Sequence, residues 1–330
     1  MKSFFIGFSI LFLLLFFAEI TFSQQLTLYS GRSKALVEPL IQEFERETGI
    51  RVRVRYGGTT QLAVALIEEG RRSPADVFWA QDAGALGAVH RAGLLTPLDA
   101  SLFEGKPAVF RNSDGTWIAT SGRARVLAFD RRVLQAESLP ETVLDLTESK
   151  WRGQVGWSPA NASFQSFVTA MRAIEGEEVT RQWLRDMQRN GAIAYNNNTS
   201  ILQAIAAGEI RMGITNHYYI ERAQASDPNY PVDMVFFRAG DSGNLLNVAG
   251  AGILTSTRAT AQATQFIEFL LRKDSQAYFL NEIFEYPVIY GIDDQDRKLE
   301  ELLKVLPDLD LDILNDLDGT LRLLRETGLL

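Results

Sequence analysis

The chain has 330 residues, 46% of them hydrophobic, and a formal net charge of -8. It has no cysteine, which excludes disulfides, thiolate metal sites and a cysteine nucleophile. An acidic balance without a Lys/Arg cluster argues against nucleic acid as a partner, and the length suffices for two ordinary domains.

At the N-terminus, Lys2 precedes an unbroken apolar run from Ile10 to Ala18, and Thr21, Phe22 and Ser23 offer a small-residue cleavage site. This reads as an export signal over residues 1–23. An uncleaved anchor is the alternative, but the run falls short of the ~20 residues of a membrane span. No cysteine follows, so lipid attachment at an N-terminal cysteine is excluded. Removing 1–23 takes away Lys2 and Glu19 and leaves the net charge at -8.

Leu26–Tyr29 alternates and is rich in strand formers. After a turn at Ser30–Ser33, the apolar residues Leu36, Val37, Leu40, Ile41 and Phe44 fall at helical spacing, and Gly49 closes that helix. Arg51–Tyr56 alternates strictly and predicts a second strand. Gly57 and Gly58 open a helix carrying Leu62, Leu66 and Ile67, ending at Gly70. Asp76–Ala80 is a third strand. The order βαβαβ predicts a parallel sheet with helices on its faces. Ligands of such sheets sit beyond the carboxyl ends of the strands. The loops 30–34, 57–61 and 81–84 therefore converge on one place. Turn chemistry accounts for each loop singly; their shared position argues for a cleft.

Trp117–Phe129 is a long extended segment and a candidate crossover between two lobes. A second α/β unit follows, with a strand at 154–158, a polar turn at 159–163 and a helix from Phe164. Next come a helix over 179–189, a short strand at 192–195, a helix opening at 196–200 and a strand at 213–215. The loops 161–163, 198–200 and 216–219 then form a second set facing the first.

Tyr218 and Tyr219 stand side by side just past the last of these strands. A phenol has a reference pKa near ~10 and is a poor ligand for most metals at neutral pH. A small trivalent cation is the exception, because it displaces the phenolic proton and prefers hard anionic oxygen. In an exported protein the pair suggests ferric iron. Taken alone, it reads more readily as aromatic packing at a strand-to-helix junction.

No catalytic motif stands out. With only His90 and His217, no Ser-His-Asp arrangement can be assembled with confidence. There is no Gly-x-Ser-x-Gly elbow and no Walker loop, and Ala249–Gly252 is too short for a dinucleotide fingerprint. Asp308, Asp310 and Asp312 resemble the start of a calcium loop without its sixth-position glycine, and read as a solvated tail face.

The chain resembles ferric-ion-binding periplasmic proteins, the substrate-binding components of bacterial iron(III) ABC transporters. The stretches that carry the resemblance are Leu28–Gly31, Ser73–Phe78, Ser121–Val126, Leu202–Ile205 with Gly208 and Glu209, Asn216–Tyr219, and Glu285–Pro287. They run in the family's order over the whole mature chain. The resemblance implies an α/β two-lobe periplasmic-binding-protein fold of type II, closing by hinge motion. Residues 24–123 and 247–297 would form the first lobe, and 124–246 and 298–330 the second. It implies that Tyr218 and Tyr219 bind Fe3+ as phenolates. A synergistic anion such as carbonate, phosphate or citrate would be held by Asn161, Ala162, Ser163, Asn198 and Asn216, at a helix N-terminus. Helix capping is the ordinary use of such asparagines. The implied partner is an inner-membrane ABC permease, the implied state a monomer in the periplasm, and no enzymatic activity is expected. The first lobe departs from the family. Ser33 stands where many relatives have a histidine ligand, Lys34 where others have a tyrosine, and Gln81 where a glutamate is usual. Asp82 beside it is a candidate substitute. A metal-free small anion is the alternative ligand.

Overall fold

The computed structural model describes residues 25–292 and 296–330; the export signal expected over 1–23 lies outside them. In chain order, β1 (Gln25–Ser30), α1 (Lys34–Thr48), β2 (Arg51–Tyr56), α2 (Thr59–Glu69), β3 (Val77–Ala80) and α3 (Ala83–Arg91) lead to a long strand, β4 (Trp117–Asp130). Then come β5 (Val155–Trp157), α4 (Ala162–Glu175), α5 (Glu177–Arg189), β6 (Ile193–Ala194), α6 (Asn198–Ala207), β7 (Met212–Asn216), α7 (His217–Ser226) and β8 (Val232–Val235). The chain finishes with β9 (Leu246–Ile253), α8 (Thr260–Leu270), α9 (Lys273–Asn281), α10 (Asp296–Val305) and α11 (Leu317–Glu326).

The first elements follow from local pattern. In α1, Val37, Leu40, Ile41 and Phe44 are buried at i, i+3, i+4 and i+7. Gly49 ends it at φ 71°, a left-handed conformation that costs glycine nothing, and its N–H bonds the Glu45 carbonyl. β1 lies between β2 and β3, parallel to both, as the βαβαβ order predicted.

β4 is the axis of the molecule, and all 14 of its residues are buried. Trp117–Ala124 pairs antiparallel with β9, which also pairs with β3. Beyond Ala124 the partner changes, and Arg125–Phe129 pairs with β7 while Leu127–Asp130 pairs with β8. The sheet order is β2-β1-β3-β9-β4-β7-β5-β6, with β8 also on β4. We call the β9 side of this strand, with its helices, the first lobe and the β7 side the second. A register break between Ala119 and Ser121 bends β4 close to the change of partner.

Each lobe has its own aromatic centre. Phe44, Trp79, Phe266 and Phe279 meet edge to face in the first. Trp157, Phe164, Phe167 and Trp183 do so in the second. Such pairs add ~0.5–1.5 kcal/mol each beyond the area they bury.

The C-terminal segment touches both lobes. Leu311–Asn315 forms a short 3-10 turn with Leu311 and Leu314 buried. It lies on α3, where a Cβ on Gly84 would come within 2.7 Å of the Leu314 carbonyl oxygen. The indole N–H of Trp117 donates to Asp312 at 3.1 Å. α11 then packs on α4, with the Thr169 and Thr320 hydroxyls 2.7 Å apart and Arg172 donating to Asp316 at 3.0 Å. The solvated face expected for 308–312 is therefore only half right. Asp308 and Asp310 are exposed, but Leu311 turns inward and Asp312 is half-buried. The glycines of α3 make the room, and nothing local to 308–312 signals it. Among the described residues no helix is long and apolar enough to cross a membrane.

Candidate ligand site between the lobes

β7 ends at Asn216, the residue that precedes α7, so Tyr218 and Tyr219 occupy that helix's first turn. Their rings stack with centroids 4.2 Å apart and planes at 30°. Both side chains are half-buried. Burial pushes the Tyr218 phenol above its ordinary value; Arg123 pulls the other way, but Tyr219 and Glu285 add to the rise. The phenol is thus neutral at physiological pH until a cation displaces its proton.

Arg125 lies beside the pair, 2% exposed, and among the described residues no carboxylate pairs with it. Its Nη1 donates to Ser163 Oγ and to Asn216 Oδ1, both at 3.2 Å, and its Nη2 to the Ile214 carbonyl at 3.1 Å. Burial drags the guanidinium down to about 9, while the two tyrosines favour its charge. A buried cation with only neutral acceptors around it is costly unless an anion visits the site.

The residues expected to hold an anion collect around this arginine. Asn161 caps α4, its Oδ1 accepting from the Ser163 N–H at 3.0 Å and hydroxyl at 2.6 Å. Asn198 Nδ2 donates to the same Ser163 Oγ at 3.3 Å, and its Oδ1 is buried without a partner. Asn197, and not Asn198, caps α6. Asn216 has the cap position of α7 but makes no side-chain cap bond, because its oxygen is turned to Arg125. Ala162 is exposed at the first position of α4. Capping therefore explains Asn161 and leaves Asn198 and Asn216 to the arginine cluster.

The first lobe contributes a second charged cluster. Glu285 is buried, with Arg32 donating to it at 2.8 and 3.1 Å and the Ser121 hydroxyl at 2.5 Å. Arg123 Nε lies 4.0 Å from the same carboxylate. Burial would raise Glu285, but Arg32 and Arg123 outweigh it and hold the carboxyl below its usual range. Arg32 also donates to Gln81 Oε1 at 3.0 Å, and Arg123 donates to the Gln81 carbonyl. Gln81 is thereby tied to the arginine that acts on Tyr218. Asp82 accepts from the Ala85 N–H at 2.9 Å and caps α3. Ser33 is exposed at the start of α1 and makes no cap bond.

His217 joins the lobes from behind the tyrosines. Its Nδ1 accepts the Ala124 N–H at 3.1 Å, which places its proton on Nε2, and its ring lies 4.4 Å from that of Tyr286. Burial lowers it to about 4, so it stays neutral. Among the described residues no group of three or more His, Cys, Asp or Glu side chains has metal-holding geometry.

Sequence reasoning missed Arg32, Arg123, Arg125 and Glu285 as site residues. Arg123 and Arg125 did carry a signal. They stand two apart on a strand whose other residues up to Phe129 are uncharged, hence on one face of it, and charged residues are rarely buried without a purpose.

Comparison with known proteins agrees with this architecture. Residues 39–302 match the family described as bacterial extracellular solute-binding protein. The Fe(3+)-binding periplasmic protein of Serratia marcescens is 33% identical over 271 residues, 81% of this chain and 80% of that protein. Iron-bound HitA from Pseudomonas aeruginosa superposes with a TM-score of 0.82 at 31% identity, covering 92% of this chain and 99% of that one. A Trichodesmium protein, IdiA (FutA), solved with iron and citrate ligands, gives 0.80 at 28% identity over 93% of this chain and 100% of its own. The α/β periplasmic-binding-protein fold expected from the sequence is the fold found, and the family's role is transport rather than catalysis. The chain belongs to the bacterial extracellular solute-binding protein family.

Proposed function

We propose that this protein captures Fe3+ in the cleft between its lobes and delivers it to an ABC permease of the inner membrane. Tyr218 and Tyr219 are the metal ligands, as phenolates. The observation that carries the reading is the stacked tyrosine pair beside Arg125, a buried cation without a carboxylate partner among the described residues. Ferric ion with a phenolate pair keeps a positive charge and open coordination positions. A synergistic anion, whether carbonate, phosphate or citrate, offsets that charge and fills those positions. In this reading Arg125, the Asn161–Ser163 turn, Asn198 and Asn216 hold it, helped by the N-terminus of α4. The named functions of the Serratia, Pseudomonas and Trichodesmium relatives favour the same ligand.

On the first lobe, Gln81 is the candidate contact that its links to Arg32 and Arg123 favour. Asp82 and Ser33 remain weaker candidates, the one committed to a cap and the other facing solvent. Residues 24–123 with 247–297, and 124–246 with 298–330, would move as two lobes about a hinge at Ser121–Val126 and Asn247–Gly250, and the seat of Leu311–Asn315 on α3 would open as they part. The change of strand partner after Ala124 supports that placement. Capture in the open form, closure, and release on docking to the permease then follow as one cycle in the periplasm.

The test is a visible absorption titration of the metal-free mature protein with ferric citrate, alongside Tyr218→Phe/Tyr219→Phe. A broad charge-transfer band, saturating at equimolar iron and absent from the double variant, is expected. A second reading, a metal-free small anion, draws on the arginine-rich site and its lack of a carboxylate ligand. No band under any candidate anion, with tight anion binding that Tyr218→Phe only weakens, would establish that reading instead.

A further inference from the structure

A cavity of about 150 Å³ lies between α2 and α3 of the first lobe and α4 of the second. Its walls are mainly apolar, with Val64 and Ile67 of α2, Ala88 of α3 and Leu317 at the start of α11, and Gln165 and Ser166 of α4 add polar groups on the second-lobe side. Val64 and Ile67 are 49% and 44% exposed, large apolar side chains facing an opening rather than a packed neighbour. Alanines on three helices keep the space open where leucines would fill it. The cavity adjoins the candidate site from both lobes. Ala162 stands between Asn161 and Ser163, and Asp82, another lining residue, follows Gln81. Consecutive Cα atoms are ~3.8 Å apart, so one small molecule can reach from Ser163 into the cavity.

A hydrated ion and a small oxyanion have no use for walls that are mainly apolar, and a volume of this size has room for a benzene-sized group. We infer that the cavity takes the hydrocarbon part of the organic acid that accompanies the iron. The ligand class is then a ferric complex of a hydroxycarboxylate bearing an aryl or branched alkyl group. Its oxygen donors face the tyrosines and Arg125, and its substituent passes over Ala162 into the space between α2, α3 and α4. This inference rests on the iron reading above.

Ferric lactate and ferric mandelate test it, because the two acids offer the same hydroxycarboxylate donors and differ only in methyl against phenyl. Calorimetric titration of the metal-free protein should show the mandelate complex binding about tenfold more tightly, as partial burial of a phenyl group implies. Val64→Phe, at an exposed position, fills the mouth of the cavity, and Ala88→Leu fills it from α3. Each should remove the preference while leaving ferric lactate affinity within about twofold. Equal binding of both complexes by the native protein overturns the inference, as does an equal loss of both in the two variants. A failure of the iron reading looks different. Neither complex then gives a charge-transfer band, yet metal-free mandelate still binds more tightly than lactate and Val64→Phe abolishes the difference. That result retains the cavity assignment and overturns the iron reading alone.

Discussion

Arg125 and Arg32 are both buried, and replacing each by methionine separates a cation held for a ligand from one held for the fold. The descent of Arg125 to about 9 costs its charged form ~5 kcal/mol at 1.36 kcal/mol per pK unit. Its bonds to Ser163, Asn216 and Ile214 return ~1.5–3 kcal/mol each, as bonds from a charged donor do. At the lower end of that range, fitting for bonds of 3.1–3.2 Å, the two contributions cancel, so Arg125→Met should leave the metal-free protein within ~2 kcal/mol of native stability. Arg32 is different, because its removal leaves the Glu285 carboxylate buried with only Arg123 at 4.0 Å and the Ser121 hydroxyl. Stranding a buried charge in this way costs ~3–5 kcal/mol. Urea unfolding of the metal-free mature protein measures both. Citrate-assisted iron binding by calorimetry supplies the other half, where Arg125→Met should lose ~2–5 kcal/mol, at least ~30-fold in affinity. If Arg125→Met destabilises the protein as much as Arg32→Met and keeps native affinity, Arg125 is a structural residue and the anion assignment fails.

The charged cluster around Glu285 makes a companion prediction. Glu285→Gln leaves Arg32 and Arg123 without their shared counter-charge and should cost ~3–5 kcal/mol in urea unfolding. Gly84→Ala drives a methyl to 2.7 Å from the Leu314 carbonyl oxygen, a backbone atom that cannot swing aside. It should destabilise the protein by ~1–3 kcal/mol and raise proteolytic cleavage around Leu311–Asn315. A loss of stability without new cleavage would mean that the C-terminal segment is not held by α3. Asp130 supplies a pH test. The side-chain hydrogen bond from Arg132, at 2.7–2.8 Å, leads the pull of its carboxyl below the ordinary value, against burial. An acid so depressed contributes stability above its unfolded value near ~4 and loses that contribution as pH falls through the folded value. Because Arg132 is 50% exposed, the effect is discounted to ~1 kcal/mol. Asp130→Asn should show that loss at pH 7 and none in strong acid, read from unfolding at both.

Much of the fold is legible because its signals are local. The periodic apolar residues of α1, the strict alternation of β2 and the glycines bounding α2 each lie within one element, and pattern reasoning needs no more. The two-residue β6 falls inside the short strand expected at 192–195, although both of its residues are exposed. The limit is β8, which no expectation covered: only Val232 of its four residues is fully buried, so no alternation marks it. The tyrosines were visible because they are adjacent in the chain. The clustering of Asn161, Ser163, Asn198 and Asn216 followed from placing helix N-termini on one side of a sheet. Which asparagine caps and which faces the site did not follow, since both uses demand the same side chain and differ only in orientation.

The long-range pairs were out of reach. Arg32 and Glu285 are separated by 253 positions and meet only because β1, β4 and the segment after α9 converge. Their partnership is electrostatic, and charge leaves no periodic trace in a sequence. The same holds for the seating of Leu311–Asn315 on α3 and for the cavity beside Ala162, whose walls come from both lobes and the C-terminal segment. By itself the sequence determined the lobes' α/β character, the long shared strand and the aromatic pair, because hydrophobic period and turn chemistry act over a few residues. Only the tertiary structure decided which charges are buried together and where space is left between the lobes, because electrostatic pairing and packing depend on distance in space and not along the chain.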